Sequence, residues 1–165
     1  MTKSSIDFVN LTSLGLLGLH ARISDELRVR GIPRSSNNPT GDLAEYLFCK
    51  AFGWKQSGNS KANIDAIGHD GLRYQIKVRR VTRFNKSPQL SAIRDLDGPH
   101  FDFLVGVPFF EDRSILRAAL IPHAIAVSRA DFVERTNSHR FILRDDIWDE
   151  PHVRDVTAEL RMVQF

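Results

Sequence analysis

The sequence predicts an α/β (α+β) fold, in which helices flank a central mixed sheet of four to five strands. Two segments with apolar residues at helical spacing come first, and a strictly alternating segment typical of a half-buried strand follows them. Further along, residues 101–109 form a near-continuous apolar run, which is typical of a strand buried on both faces. The chain has 165 residues, of which 42% are hydrophobic and 26% charged, and these values indicate one globular domain with its own core.

Two helices are predicted in the N-terminal third of the chain. The first covers residues 11–30, before Gly31 and Pro33, and its apolar face comprises Leu16, Leu19, Ile23 and Leu27. A polar loop follows, and Thr40 then caps the second helix. The predicted buried arc of this second helix comprises Leu43, Ala44, Leu47, Phe48 and Ala51. Glu45 lies at the edge of that arc, and its position alone fits a solvated surface acid equally well.

A short strand is predicted at residues 54–56, and a hairpin at residues 64–78. In the second strand of the hairpin, one face carries Leu72, Tyr74, Ile76 and Val78, and the other carries Arg73, Gln75, Lys77 and Arg79. A turn at residues 68–71, with Gly71 in the left-handed conformation, pairs Gly68 with Leu72. This register places Asp65 opposite Gln75. Both side chains then share a face with Lys77, away from the apolar side of the strand.

The C-terminal half alternates strands with short helices. The predicted elements are a short helix at 89–96, a strand at 101–109, a turn at 111–114, a strand at 115–121, a helix at 122–128, a short strand or loop at 141–143, and a C-terminal helix that begins at Pro151. Within the single domain of residues 1–165, we expect an N-terminal helical segment (1–33), a core (34–128) and a C-terminal strand and helix extension (129–165).

Asp65 on one strand and Gln75-Ile76-Lys77 on the next resemble the catalytic signature of the PD-(D/E)XK (restriction-endonuclease-like) nuclease superfamily. Members carry an acid on one strand and acid-x-Lys on its neighbour, and some carry Gln-x-Lys. Many also have a Glu on the preceding helix, and residues 41–45 match that pattern. Ile64 stands where the family has Pro. The resemblance covers roughly residues 34–81, and uncharacterised bacterial proteins share the same Ala-Glu helix and Tyr-Gln-Ile-Lys strand.

The resemblance implies a restriction-endonuclease-like core and metal-dependent hydrolysis of phosphodiester bonds. The implied catalytic residues are Asp65, Gln75, Lys77 and Glu45. Mg²⁺, or Mn²⁺ in its place, would be held by the carboxylates of Asp65 and Glu45 and by the amide oxygen of Gln75, because hard cations prefer oxygen ligands. Lys77 would orient or deprotonate the attacking water, or stabilise charge on the phosphate. The neutral amide of Gln75 predicts weaker metal binding than an acid would give.

Positive charge is concentrated on and just after the alternating strand. The segment 71–94 contains seven basic residues and no acid, whereas the net charge of the whole chain is only +3. Such a basic stretch suits a phosphate backbone, and the other interpretation is a solvated basic face. The candidate nucleic-acid contacts are Arg73, Arg79, Arg80, Arg83, Lys86, Ser36 and Asn37. The expected partner is DNA, with RNA as the alternative and a homodimer left open.

Other function classes receive little support from the sequence. A single cysteine, Cys49, excludes an internal disulfide and favours a reducing compartment. The start of the chain lacks an apolar signal core, and no apolar run is long enough to cross a bilayer, so we expect a cytoplasmic protein without a membrane partner. No phosphate-cradling glycine loop or histidine metal motif occurs.

Three functions from different classes therefore remain. The first is a magnesium-dependent deoxyribonuclease. The second is a nucleic-acid-binding module that keeps the fold but has lost the chemistry, as the neutral Gln75 would allow. The third is an unrelated interaction protein, in which the alternating strand is a structural edge with a solvated polar face.

Overall fold

The computed structural model describes residues 7–34, 39–58 and 63–164. The chain divides into two compact units, Met1–Pro39 and Thr40–Phe165. In the first unit, helix α1 (Ser13–Val29) confirms the predicted helix. The Thr12 hydroxyl caps it by accepting a hydrogen bond from the Gly15 amide at 3.1 Å, and Gly31 follows it with a φ of +74°. No residue of α1 is buried.

The second unit is built around a mixed sheet, which confirms the predicted fold class. The described strands of this sheet number six rather than four to five, in the order β1-β2-β3-β4-β5-β8. Their bounds are β1 Lys55–Gln56, β2 Ala66–Ile67, β3 Arg73–Arg80, β4 Phe103–Phe109, β5 Ala119–Pro122 and β8 Arg154–Asp155. Strands β3 and β4 are parallel, and all other neighbours are antiparallel.

Helices and a second, smaller sheet complete this unit. The helices are α2 (Thr40–Phe52), α3 (His123–Arg129) and α4 (Thr157–Arg161). The smaller sheet pairs β6 (Asp131–Val133) with β7 (Ser138–Arg140). The sequence did not indicate this sheet, because strands of three residues are too short to show a period.

The hairpin forms in the predicted register. Ala66 pairs with Tyr74 and Ile67 with Arg73, and the Gly68 amide donates to the Leu72 carbonyl at 2.8 Å. Gly71 has a φ of +81°, in the left-handed region that a side chain disfavours. The turn therefore fixes which side chains of β3 lie across from β2.

Two apolar layers enclose the sheet. On one side, α2 buries Leu43, Ala44, Leu47 and Phe48 as predicted, together with Thr40, and Ala51 is only half-buried. On the other side lies a cluster that comprises Leu90, Ile93, Leu96, Phe101, Leu104, Ala119, Ile121, Ala126, Phe141, Leu143 and Ile147. Strand β4 is buried on both faces, as its apolar run predicted.

Three local predictions are wrong or shifted. Residues 89–96 form no helix, because their backbone bridges extended segments at Gln89 and Ile93 while Leu90, Ile93 and Leu96 enter the core. Strand β5 begins at Ala119, four residues later than expected. No helix begins at Pro151, because residues 154–155 join the sheet as β8 and the helix starts only at Thr157.

Within the described part of the chain, no helix is both long and apolar enough to span a membrane.

The left-handed conformation of Gly71 gives a stability prediction. Gly71→Ala should lower the free energy of unfolding by about 1–2 kcal/mol, because L-residues are disfavoured in that conformation by this amount. Gly71→Asn should lose less, since Asn tolerates the left-handed region. Urea unfolding followed by circular dichroism measures both.

Gly41→Ala is the matched control, because Gly41 lies in α2 and, apart from its chain neighbours and the backbone of its own helix, no described atom is within 4 Å of its Cβ position. It should not lower stability, since Ala favours helices over Gly. Equal losses at the two glycines would contradict a specific requirement for the turn.

Candidate functional site

Gln75 and Lys77 lie on the same face of β3, next to Leu104 and Gly106 of the parallel strand β4. Gln75 is only 2% exposed, and Lys77 is half-buried. The Cβ position of Gly106 is 3.2 Å from methyl groups of Leu90 and Leu143, so apolar side chains approach the sheet closely beside Lys77. The sequence analysis placed these polar residues away from the apolar side. The structure corrects this, because the second apolar cluster covers this face.

The Asp65 carboxylate is fixed against β3 by backbone hydrogen bonds. The ladder between β2 and β3 ends at Ala66, and Asp65 is the next residue outward. Its Oδ2 accepts a hydrogen bond from the Ile76 amide at 2.6 Å, and its own amide donates to the Tyr74 carbonyl at 2.9 Å. The carboxylate is therefore held at the backbone segment that joins Gln75 to Lys77.

Glu45 reaches the sheet from α2. The Gln56 side-chain amide on β1 donates to Glu45 Oε2 at 2.8 Å. Stacked rings fix α2 on the sheet, because Phe48 lies 5.5 Å from Trp54 and Trp54 lies 3.7 Å from Tyr74, between ring centroids. The helix that carries Glu45 is thus docked on the strand that carries Gln75 and Lys77.

The pKa of Lys77 is affected by its burial and by charges from other parts of the fold. Burial lowers the pKa of Lys77 below its ordinary value of 10.5, because the charged ammonium loses water. The carboxylates of Asp65 and Glu45 oppose this effect, and the Arg94 guanidinium adds to it. The Lys77 ammonium therefore interacts electrostatically with both predicted acids. Glu45 lies on α2, and Asp65 directly precedes β2.

The amide oxygen of Gln75 has no partner. Gln75 Oε1 is buried and accepts no hydrogen bond, although a buried, unpaired acceptor costs about 1–3 kcal/mol. A carbonyl oxygen beside carboxylates suits a hard divalent cation. The described residues contain no group of three or more His, Cys, Asp or Glu side chains that could hold a metal ion. The candidate oxygen donors predicted from the sequence are therefore the carboxylates of Asp65 and Glu45 and this amide oxygen.

The predicted nucleic-acid contacts fall into three groups. The Arg73 guanidinium is engaged, because it donates to both carboxylate oxygens of Asp102, at 2.9 and 3.1 Å, and to the Pro99 carbonyl. Arg79 donates to the Ser87 carbonyl, whereas no described carboxylate pairs with Arg80, Arg83 or Lys86, which are exposed. Ser36 and Asn37 lie outside the described residues.

Two residues near the site were missed by the sequence analysis. Gln56 lies on a strand of two residues, too short for alternation to assign its face, and it bonds Glu45. Arg94 acts on Lys77 from the long connection between β3 and β4. No local pattern could have indicated either contact, because both depend on segments that meet only in the folded chain.

Neither a family model nor a curated protein sequence matches the chain. The arrangement of side chains therefore carries the functional argument.

The lowered pKa of Lys77 predicts how stability depends on pH. Between the folded pKa and 10.5 the unfolded chain binds more protons, so the free energy of unfolding should rise with pH. Lys77→Met should lose this rise, and at neutral pH it should be at least as stable as the wild type, because no charge is buried. Urea unfolding at pH values up to about 9.5 measures this dependence of stability on pH. These values stay below the ordinary tyrosine pKa of about 10.

Lys86→Met is the matched control, since Lys86 is exposed and the variant retains Lys77. It should keep the rise with pH. A rise that persists in Lys77→Met would show that another group produces it.

Proposed function

We propose that the protein hydrolyses phosphodiester bonds of nucleic acid with the help of a divalent cation, and that DNA is the substrate. The observation that carries the proposal is the buried, unpaired Oε1 of Gln75, on the same strand face as Lys77 and beside the fixed carboxylate of Asp65. A structural strand would gain stability from an apolar residue at this position. An oxygen ligand for a cation explains why the amide is there.

Asp65, Glu45 and Gln75 would hold Mg²⁺ or Mn²⁺ in this site. When bound there, the cation supplies stabilisation of negative charge on the phosphate and makes the attacking water more acidic. The protein contributes a rigid carboxylate, because Asp65 is bonded to the backbone of β3 and needs no reorganisation.

Lys77 provides the proton transfer. Its lowered pKa increases the fraction of neutral amine, and a neutral amine can accept the proton of the attacking water. The water oxygen then bonds to phosphorus, and the leaving oxygen departs with the electrons of the broken P–O bond and takes a proton from solvent. Activity should therefore rise with pH as Lys77 deprotonates.

The basic stretch after Lys77 suits the polyanionic substrate. Arg80, Arg83 and Lys86 are exposed and pair with no described carboxylate, so they can neutralise phosphates. Arg73 contributes to the fold instead, through Asp102. As part of this proposal we place the protein in the cytoplasm, which suits a chain whose single cysteine, Cys49, can form no internal disulfide. RNA as the alternative substrate remains a prediction from the sequence. The same is true of the formation of a homodimer.

A binding module without turnover is the second candidate. It is favoured by the neutral side chain of Gln75 and by the existing hydrogen bonds of Asp65 with the Ile76 amide and of Glu45 with Gln56. Such a module would bind nucleic acid and leave it intact at any metal concentration.

Removing the charge of Asp65 should abolish metal-dependent cleavage. Asp65→Asn keeps an oxygen that can accept from the Ile76 amide, so the fold should persist while cation binding fails. Lys77→Met should lower the cleavage rate at least about 100-fold, the ordinary contribution of a positioned acid or base, and leave binding intact. Plasmid nicking and single-strand cleavage, with and without Mg²⁺, measure the rates, and fluorescence anisotropy measures binding.

Asp145→Asn is the control for Asp65→Asn, because the Asp145 carboxylate is fully exposed. It should cleave like the wild type. Equal cleavage by the wild type and Lys77→Met would disprove the catalytic role of Lys77. Binding without cleavage in every variant would favour the second candidate.

Gln75→Glu should lower the metal concentration needed for half-maximal cleavage. A carboxylate binds a hard cation more strongly than an amide oxygen does. The maximal rate should fall, because the new charge next to Lys77 raises the pKa of the amine and keeps it protonated. Titrations of cleavage with Mg²⁺ and Mn²⁺ measure both effects, and calorimetry measures metal binding directly.

Gln89→Glu serves as the comparison, since it adds the same charge at a half-buried position in the connection after β3. It should leave the half-maximal metal concentration unchanged. If neither the wild type nor Gln75→Glu binds a divalent cation at millimolar concentration, the proposed metal site is wrong.

A further inference from the structure

A tight turn after β3 presents an aromatic ring to solvent. The Thr82 amide donates to the Asn85 carbonyl at 2.9 Å, and the Asn85 amide returns a bond to the Thr82 carbonyl at 3.1 Å. The Asn85 amide also donates to the Thr82 hydroxyl, and the Asn85 side chain accepts from the Ser87 amide. Arg83 and Phe84 thus form the tip of a well-bonded turn.

The exposure of Phe84 is unusual for this protein. Its side chain is 82% exposed, the highest value of any aromatic residue in the described part of the chain, and Phe132 follows at 57%. The Arg83 guanidinium lies over the Phe84 ring, 4.6 Å from its centroid, yet most of the ring stays open. A single exposed apolar residue is common on protein surfaces, so exposure alone assigns no role.

The surroundings of the turn supply the second observation. Arg79, Arg80, Arg83 and Lys86 flank Phe84 in the sequence, and no described carboxylate pairs with any of them. Arg80 pairs with Phe109 at the end of β4, and beyond that end the Asp112 carboxylate accepts hydrogen bonds from the Ser114 amide and hydroxyl. An aromatic ring flanked by cations without a carboxylate partner matches a nucleotide strand, which offers a flat base and a phosphate.

We propose that Phe84 stacks on an unpaired base of single-stranded nucleic acid while the flanking cations hold its phosphates. This inference rests on the proposed function and specifies its substrate as a strand with accessible bases. In a duplex the base faces are already stacked on each other, so Phe84 gains this contact only from a single-stranded or opened segment.

The position of the turn relative to Lys77 fits one continuous strand of substrate. Phe84 lies seven positions after Lys77, a distance of at most about 24 Å for an extended chain. At about 3.4 Å per nucleotide along a stacked strand, this distance corresponds to at most about seven nucleotides. A base on Phe84 would therefore fix the strand on one side of the bond to be cleaved.

Binding of the full-length protein to three labelled probes tests the inference. The probes are a mixed-sequence single strand, its duplex, and an abasic strand of the same length that has phosphates and sugars but no bases. Phe84→Ala should bind the single strand about 5- to 100-fold more weakly, the usual contribution of base–aromatic stacking. It should bind the abasic strand like the wild type, and the dependence of affinity on salt should not change, because no phosphate contact is lost.

Matched variants separate stacking from other effects. Phe84→Trp should retain single-strand affinity, whereas Phe84→Leu should resemble Phe84→Ala, since Leu is apolar but has no aromatic face. Phe132→Ala, which removes the next most exposed aromatic ring of the described residues, should bind like the wild type. Arg80→Ala should weaken binding to all three probes and flatten the salt dependence. Ribonucleotide and deoxyribonucleotide versions of the single strand show which sugar is preferred.

The outcomes distinguish this inference from the proposed function. If the wild type binds all probes and Phe84→Ala binds them equally well, or loses affinity equally for the abasic strand, stacking by Phe84 is disproved and the proposed function stands. If the wild type binds none of the probes at low salt, both the proposed function and this inference are disproved.

Discussion

Strand β3 places two polar side chains, the buried Gln75 and the half-buried Lys77, in the middle of the sheet. Strand β3 lies between β2 and β4, with α2 on one face and the second apolar cluster on the other. An unpaired amide oxygen and a desolvated amine both cost stability in such surroundings. A strand under selection for packing alone would be expected to carry apolar residues at these positions. Costly polar groups of this kind are typical of sites that bind or react.

Two local features of the fold place acidic side chains near this polar pair. The turn at Gly71 sets the register of the hairpin. The Asp65 carboxylate then accepts a hydrogen bond from the Ile76 amide, in the place of a backbone carbonyl of the ladder. Across the sheet, the stacked rings of Trp54 and Tyr74 dock the helix that carries Glu45. Packing on one face and a turn at one end thus position two acids that are distant in the sequence.

The sequence predicted the hairpin register, the doubly buried β4 and the first two helices, because each rests on a local period or a turn residue. It could not show that a second apolar layer covers the face of Gln75, since that layer forms from residues 90–147 after folding. The expected helix at Pro151 failed for the same reason. Pairing with β5 stabilises residues 154–155 as a strand, and a tertiary contact of this kind overrides local preference. The sequence predicted that Asp65 lies opposite Gln75, on the strand face that also carries Lys77, but it did not show that this face is buried.

The neutral side chain of Gln75 and the lowered pKa of Lys77 form one physical argument. A carboxylate at position 75 would bind a cation more strongly, but it would also stabilise the charged form of the neighbouring amine. An amide oxygen avoids that effect, because it offers a ligand without a charge. In the proposed metal site this arrangement would exchange metal affinity for a larger fraction of neutral Lys77, and a neutral amine can accept a proton. Asp65, which is already fixed by the backbone of β3, and Glu45 would then supply the negative charge that holds the cation in the proposed site.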